Sequence, residues 1–159
     1  KAKNYLTLDR GSKAGVKEGM GVIGDHGIVG VVRESSERFA SVIGVLNPDF
    51  NVSALLPRLK SFGPITWDTR DPRTVSLVEI AKHVPVVVGD TVVTYGNDGV
   101  FPRGVPIGRV ATVDDDPGSA YHRITVTLSE DPTRNALVYV VSDLAKAERD
   151  SLERNNPGD

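Results

Sequence analysis

The stretch from Met20 to Arg33 reads Met-Gly-Val-Ile-Gly-Asp-His-Gly-Ile-Val-Gly-Val-Val-Arg. Two apolar, mostly β-branched runs flank the turn-forming residues Asp25, His26 and Gly27, and this pattern predicts a β-hairpin. Glycines within the runs let the chain bend sharply and let neighbouring backbones approach, as the strands of a small barrel require. The stretch therefore indicates short strands in a closed or sandwich-like β architecture.

Further strand-like stretches follow one another at short intervals along the chain. They are residues 4–9, 39–46, 50–56, 65–68, 74–80, 91–94, 106–113, 121–128 and 137–141. The composition agrees, because 24 Val, 7 Ile and 10 Thr stand against 11 Leu and 1 Met, and β-branched residues favour strands. An all-helical bundle is excluded, and the predicted fold class is all-β.

Charge and cysteine content exclude several classes of function. The 159 residues carry a formal net charge of −2, so no broad basic surface attracts nucleic acid. The absence of cysteine removes disulfides, thiolate nucleophiles and cysteine-based zinc sites. No apolar run approaches the roughly 20 residues of a membrane helix. Because the sequence starts at Lys1, we expect a processed product or a fragment, with any membrane anchor upstream.

A weak internal duplication indicates two related β units. Residues 16–23, Val-Lys-Glu-Gly-Met-Gly-Val-Ile, resemble residues 87–93, Val-Val-Gly-Asp-Thr-Val-Val. Each copy continues into a second, glycine-bounded strand. Prolines and glycine cluster between Pro57 and Pro64, and the boundary between the two units is predicted there.

The predicted organisation is two small six-stranded β-barrel subdomains followed by a tail. The first subdomain spans residues 1–58, and residues 136–142 are a candidate strand that returns to complete it. The second subdomain spans residues 59–135. From 143 to 159 the apolar stripe is thin, so a short, weakly ordered helix and a disordered end are expected.

No arrangement of side chains predicts a catalytic, metal or cofactor site. His26, His83 and His122 lack the spacing of a metal motif, so structural or surface roles are expected for them. The serines lie outside any Gly-x-Ser-x-Gly nucleophile turn. Three consecutive aspartates at 114–116 precede Pro117-Gly118, which is typical of a solvated turn rather than a calcium loop.

The segment at residues 100–108 has the most distinctive sequence, Val-Phe-Pro-Arg-Gly-Val-Pro-Ile-Gly. Its prolines and glycines predict a rigid corner between strands, in which Phe101 either packs in the core or contacts a protein partner. Tyr95 and Trp67 raise the same question, because exposed aromatic residues anchor interfaces whereas buried ones pack. These three aromatic residues are the candidate partner-binding residues.

Four blocks of sequence, at residues 4–12, 15–30, 89–96 and 101–108, occur together in this chain. The residues in them to which we assign a structural role are Gly15, Gly19, Gly27, Gly30, Gly89, Asp90, Gly96, Pro102, Gly104, Pro106 and Gly108. Each block is weak alone. In this order they resemble the extracytoplasmic core of the rod-shape-determining protein MreC family, over almost the whole chain up to Val141.

The resemblance implies two six-stranded barrels and a non-enzymatic scaffold of the bacterial cell-elongation (rod) complex. Such scaffolds lie on the periplasmic side of the inner membrane, anchored by an upstream helix. They self-associate and bind a class B penicillin-binding transpeptidase and other membrane proteins of the complex. No catalytic residue or cofactor carries over. Two alternatives stay open: a chymotrypsin-like paired-barrel hydrolase that uses one of the histidines, and a periplasmic ligand-binding β module with clustered exposed aromatic residues.

Overall fold

Eleven β-strands and one 3₁₀ turn, Ser12–Ala14, form in residues 5–131 and 138–141, which are the residues that this computed structural model describes. The strands are β1 Tyr5–Leu8, β2 Gly21–Ile23, β3 Ile28–Ser35, β4 Ala40–Gly44, β5 Val52–Leu56, β6 Ser61–Thr66, β7 Thr74–Leu77, β8 Thr91–Thr94, β9 Pro106–Asp115, β10 His122–Leu128 and β11 Tyr139–Val141. The all-β fold class predicted from the β-branched composition is confirmed.

Strands β5 to β10 close into a six-stranded barrel in the order β10-β7-β6-β5-β8-β9. Buried residues alternate with more exposed ones along β5 and β7, so one face of each strand lines the interior. Branched apolar side chains fill that interior. Among those at most 1% exposed are Leu56, Ile65, Leu77, Ile107 and Ile124. The prediction of a small closed barrel is confirmed for this part of the chain.

The other strands form a five-stranded sheet in the order β1-β4-β3-β2-β11. Its β2–β3 pair is the hairpin predicted from residues 20–33. A smaller core lies on one face of this sheet. Its buried members are Val16, Val22, Val29, Val32, Ala40 and Val42. The expectation of a second six-stranded barrel is corrected to an open sheet for the described residues, because the edge strands β1 and β11 do not pair with each other.

The chain changes from one sheet to the other between β4 and β5, earlier than the boundary predicted near residue 58. β5 pairs with β6 and β8 of the barrel. The proline and glycine cluster at 57–64 instead marks the β5–β6 hairpin, where Lys60 has a φ of 55°. Hairpin turns and linkers use the same turn residues, so the sequence signal was ambiguous.

Two predictions concern the C-terminal part of the chain, and the structure bears on only the first of them. β11 pairs antiparallel with β2, with Val140 opposite Val22, and this places residues 139–141 in the first sheet. The helix and tail predicted for residues 143–159 lie outside the described residues.

The two units share part of one core. Buried residues from β3 and from the connection after β4 join the barrel interior: Ile28, Val45 and Leu46. Gly21 packs so closely against the ring of Phe101 that a Cβ at position 21 would lie 2.5 Å from the ring's Cε1. The Glu130 carboxylate accepts a 3.0 Å hydrogen bond from the backbone N–H of His26. The β2–β3 hairpin is therefore fastened directly to the barrel.

Candidate functional site

An apolar strip crosses the outer face of the barrel on β6, β5 and β8. Phe62 lies opposite Leu55, and Leu55 lies opposite Val93. These three side chains share the outer face because the residue that follows each of them is buried. Phe62 is 52% exposed. The strip therefore presents a large apolar side chain to solvent on a rigid sheet.

Tyr95 extends the strip just beyond β8. Its ring stacks on Phe62, with ring centroids 4.3 Å apart and planes 7° from parallel. The guanidinium of Arg103 lies over the Tyr95 ring, 4.7 Å from its centroid, and its Nε donates a 2.7 Å hydrogen bond to the Tyr95 carbonyl. Stacking and the cation–π contact fix the orientation of both rings. We call Phe62, Leu55, Val93, Tyr95 and Arg103 the aromatic strip.

The corner between β8 and β9 positions the aromatic end of the strip. The buried hydroxyl of Thr94 donates to the Pro102 carbonyl at 2.7 Å and accepts from the Val105 N–H at 2.9 Å. Gly96 has a φ of 82°, and a Cβ there would lie 2.5 Å from the backbone nitrogen of Arg103. Glycine at position 96 therefore lets the two sides of the corner meet.

The structure separates the three predicted partner-binding residues. Phe101 is 0% exposed and packs against Gly21, so its prediction as a contact residue is corrected: its ring fills the apolar junction between the two units. Trp67 is half-buried against the barrel core, and its indole N–H donates to the Asp71 carbonyl at 2.9 Å. Tyr95 alone of the three belongs to the aromatic strip.

Sequence reasoning missed Phe62. The predicted strand begins only at Ile65, whereas β6 begins at Ser61. In the structure Gly63 and Ile65 are buried between more exposed neighbours, but residues 62–66, Phe-Gly-Pro-Ile-Thr, do not alternate between apolar and polar types, so no periodic signal marked Phe62. Proline at 64 also argued against a strand there, since proline is read as ending a strand.

The residues assigned a structural role lie at turns and close approaches. Those with a positive φ well inside the left-handed region are Gly15, Gly19, Gly89, Gly96 and Gly104. Those where an added Cβ would meet the backbone of another strand are Gly27, Gly30 and Gly108. Pro106 contributes the carbonyl that faces Gly27, and Pro102 contributes the carbonyl that the Thr94 hydroxyl binds.

Asp90 is a buried carboxylate with several donors. Nε and Nη2 of Arg58 donate to its two oxygens at 2.7 and 2.9 Å, and the backbone N–H of Val87 donates at 2.9 Å. The hydrogen bonds from Arg58 hold the pKa of Asp90 below its ordinary value, although burial acts in the opposite direction. Because both oxygens are engaged, this carboxylate is a structural tie between the β5–β6 turn and the loop before β8.

His122 is a buried histidine with both ring nitrogens engaged. Its Nδ1 lies 2.6 Å from a carboxylate oxygen of Asp115, and its Nε2 lies 2.7 Å from the Val84 carbonyl. Burial alone lowers the pKa of His122, but the hydrogen bonds to Val84 and Asp115 outweigh burial and raise it above its ordinary value. A ring held at both nitrogens has none open to accept a proton from a serine hydroxyl.

Where the structure describes them, the remaining histidines and acidic residues do not form a metal site. His26 and His83 are exposed. Within residues 5–131 and 138–141, no three His, Asp or Glu side chains converge as a metal site requires. Over the same part of the chain, no helix has the length and apolar character needed to cross a membrane.

A closed barrel that shares its core with an open sheet, and that carries a partly exposed aromatic strip on its outer face, defines a two-unit all-β protein. The family model described as "Rod shape-determining protein MreC, barrel core" matches residues 1–142 of the chain. The chain therefore belongs to the MreC family.

Sequence relatives carry the same family name. The chain is 31% identical over 116 residues to the cell shape-determining protein MreC of Listeria monocytogenes, a match that covers 71% of this chain and 39% of that protein. It is 30% identical over 120 residues to MreC of Escherichia coli K12, covering 74% and 32%. The chain thus spans well under half the length of these two relatives.

Solved structures show the same fold. The crystal structure of MreC from Pseudomonas aeruginosa gives a TM-score of 0.82 at 22% identity and covers 88% of this chain and 90% of that chain. A chain from the complex between Penicillin-Binding Protein (PBP2) and MreC of Helicobacter pylori gives 0.64 at 19% identity, covering 79% and 77%. At these identities the likeness establishes the fold.

Proposed function

We propose that this chain is an extracytoplasmic scaffold of the cell-elongation machinery, anchored to the inner membrane from upstream, and that it binds a class B penicillin-binding transpeptidase. Its relatives are named for determining cell shape. The fold is shared with a chain from a complex of MreC with a penicillin-binding protein. In this proposal the scaffold catalyses no reaction and needs no cofactor.

The observation that carries the proposal is the stacked Phe62–Tyr95 pair beside Arg103 on an exposed sheet face. Tryptophan, tyrosine and arginine side chains are enriched among the hot spots of protein interfaces. The stacking and the hydrogen bond from Arg103 already restrict the Tyr95 ring. Little side-chain freedom is therefore lost when a partner binds, which favours affinity. We propose the aromatic strip as the docking surface.

The scaffold acts by binding one conformation of the transpeptidase more tightly than the others. A ligand shifts a conformational equilibrium only by its difference in affinity for the two states. A tenfold shift needs about 1.4 kcal/mol. A single anchor such as Tyr95 supplies that much when it contacts only the favoured conformation, since hot spots are worth about 2 kcal/mol or more.

A direct binding measurement tests the proposal. The purified chain is titrated by biolayer interferometry against the extracytoplasmic part of the elongation transpeptidase from the same organism. We expect Phe62→Ala and Tyr95→Ala each to weaken binding about tenfold or more. Phe39→Ala is the matched control, because Phe39 is also 52% exposed but lies in the β3–β4 turn, which belongs to the other sheet. We expect this control to bind like the unmodified chain.

Two results would count against different parts of the proposal. Binding that survives both Phe62→Ala and Tyr95→Ala, or that Phe39→Ala weakens equally, contradicts the docking surface. No binding of the unmodified chain at micromolar concentration contradicts the partner. Circular dichroism of each variant shows that a loss of binding is not a loss of fold.

We propose separately that copies of the chain associate through a sheet edge, as a dimer or a filament. In the described residues β1 ends the five-stranded sheet and pairs only with β4. Tyr5 and Leu6 on this strand are 46% and 38% exposed, and such edges accept strands from other chains. Leu6→Lys should shift the mass measured by sedimentation toward the monomer, and an unchanged distribution contradicts this edge as the contact.

The two alternative functions have less support from the site. A paired-barrel hydrolase needs a histidine with a nitrogen free for its nucleophile, and both nitrogens of His122 are engaged. A ligand-binding module needs clustered exposed aromatic residues; Phe62 and Tyr95 form one such pair, but each ring covers a face of the other, which leaves less ring surface for a small ligand to stack on. Loss of a measured hydrolytic turnover on His122→Ala would favour the hydrolase instead.

A further inference from the structure

The loop at residues 84–90 contributes side chains to the barrel core without being a strand. Val84 and Val86 are buried among the core residues of the barrel. Val87 and Val88, which follow directly, are 54% and 65% exposed. The loop therefore combines an apolar inner side with an exposed outer side, and its attachment to the barrel determines how often it opens.

Two side-chain ties hold this loop. In the first, Asp90 at the C-terminal end of the loop accepts from the Val87 N–H, and its partner Arg58 donates to the carbonyl of Pro85, near the N-terminal end, at 2.9 Å. At its N-terminal end, the Val84 carbonyl faces Nε2 of His122 at 2.7 Å. The second tie depends on a group that titrates near neutral pH.

The His122 ring has an acceptor at each nitrogen. A carbonyl can only accept a hydrogen bond, and an ionised carboxylate can only accept as well. A neutral imidazole has one N–H, so it can donate to Val84 or to Asp115 but not to both. The two short contacts at His122 therefore fit the doubly protonated ring, which donates to both.

We propose that His122 is a pH-sensitive clasp: its imidazolium ties the Val84 carbonyl to Asp115, and its neutral form releases one of the two, so that the 84–90 loop opens more often. This device is separate from the aromatic strip and does not depend on the proposed function.

Charged and titratable groups from several parts of the chain surround His122. Asp115 comes from β9, Asp116 from the β9–β10 turn, Glu79 and Lys82 from the segment after β7, and Tyr121 and Arg123 flank His122 in sequence. Three carboxylates thus stand against two cations. The Lys82 ammonium donates to the Asp116 carbonyl, and its positive charge adds to burial in opposing protonation of His122.

The direction of the pH effect follows from the raised pKa of His122. A group whose pKa is higher in the folded than in the unfolded state stabilises the fold fully below the unfolded value. That stabilisation is lost as the pH rises through the folded value. The clasp is therefore complete below the ordinary pKa of histidine and is released as the pH rises through the raised pKa of His122.

Residue-resolved hydrogen exchange by NMR, with rates corrected for the intrinsic effect of pH, tests the clasp. The amides of Val86 and Val87 report on the loop, because both are hydrogen-bonded within it. Between about pH 5.5 and 8.5, which brackets the histidine range, we expect their protection factors to fall about tenfold, as for loss of one charge-assisted hydrogen bond. The exposed His83 gives the control His83→Gln, which should behave like the unmodified chain.

Two variants test whether the contacts of His122 respond to pH or are only structural. His122→Gln should make the protection of the loop independent of pH. Asp115→Asn should move the midpoint of the fall to lower pH, and it should fold, since the Asp115 side chain is 51% exposed. Three results would overturn the proposal. The protection of the loop amides could stay constant with pH in the unmodified chain, or it could still fall with pH in His122→Gln. The protection of the β5 amides could also fall by the same factor as that of the loop amides. If His122→Gln does not fold, an unchanged midpoint in Asp115→Asn overturns the proposal.

Discussion

Arg58 and Asp90 form a two-pronged ion pair, with nitrogen–oxygen distances of 2.7 and 2.9 Å, that ties the β5–β6 turn to the loop before β8. The two side chains differ in exposure, 52% for Arg58 and 6% for Asp90. A buried carboxylate is tolerated only while its partners remain, because removing one partner leaves a charge with poor solvation. The effect on stability should therefore depend on which of the two is changed.

Arg58→Ala should lower the free energy of unfolding, since it removes the main hydrogen-bond partner of the buried Asp90 carboxylate, although water can then reach that carboxylate. Urea denaturation followed by circular dichroism measures the loss. The matched control is Arg123→Ala, because the pair of Arg123 with Asp116 has a 3.6 Å contact and is largely exposed at both ends. Its effect should stay under about 1 kcal/mol. Equal effects of the two substitutions would contradict a structural role for the Arg58 pair.

Asp90 should also give the fold an acid-sensitive contribution. Its folded pKa lies below the ordinary value of 3.8, chiefly because Arg58 donates to it. A lowered pKa stabilises the fold above the unfolded value, and the contribution is lost as the pH falls through the folded value. The difference in unfolding free energy between the unmodified chain and Asp90→Asn should therefore shrink on acidification from pH 6 toward about pH 2. A difference that stays constant or grows in acid contradicts this assignment.

Gly21→Ala should disrupt the junction between the two units. The added Cβ would lie 2.5 Å from the Phe101 ring and 2.9 Å from the Val100 carbonyl, and overpacking of this kind costs about 1–3 kcal/mol. Thermal unfolding measures the change. Gly118→Ala is the control, since the nearest atom to its Cβ, on Asp116, would be 3.5 Å away.

A second substitution shows whether the clash at Gly21 is with Phe101. Phe101→Leu shortens the side chain, so Gly21→Ala should cost less in that background than in the unmodified chain. If the two effects simply add, the ring is not the obstacle and the interpretation of the junction is wrong.

The sequence predicted the class of fold because the relevant signals are local. β-branched runs and glycines at turns are read within a few residues, and the hairpin at residues 20–33 formed as expected. The boundary near residue 58 was wrong because β5 pairs with β8, which lies about 40 residues further along the chain. Pairing over such distances leaves no mark in a short window of sequence.

The site was harder to predict than the fold. Phe101 and Tyr95 are both aromatic residues near a glycine, yet the first is fully buried and the second is partly exposed. What separates them is the partner each meets: Gly21 leaves a space that the Phe101 ring fills, whereas Tyr95 meets Phe62 on the outer face. Both contacts are between residues far apart in sequence. Composition and spacing could therefore indicate these aromatic residues as candidates, but could not show which one is buried and which one is partly exposed.

Thr94 should matter through its hydroxyl rather than its size. The hydroxyl donates to the Pro102 carbonyl and accepts from the Val105 N–H, and the side chain is fully buried. Thr94→Val keeps the shape but leaves both backbone groups without this partner, which should cost about 2–3 kcal/mol. Thr94→Ser keeps the hydroxyl and loses one methyl group, worth about 1 kcal/mol.

Urea denaturation of the two Thr94 variants should therefore rank Ser above Val in stability. The same order should appear in binding through the aromatic strip, because the corner that Thr94 holds also positions Tyr95 and Arg103. A valine variant as stable as the serine variant, or more stable, would contradict the prediction that the hydroxyl contributes more than the methyl group at position 94.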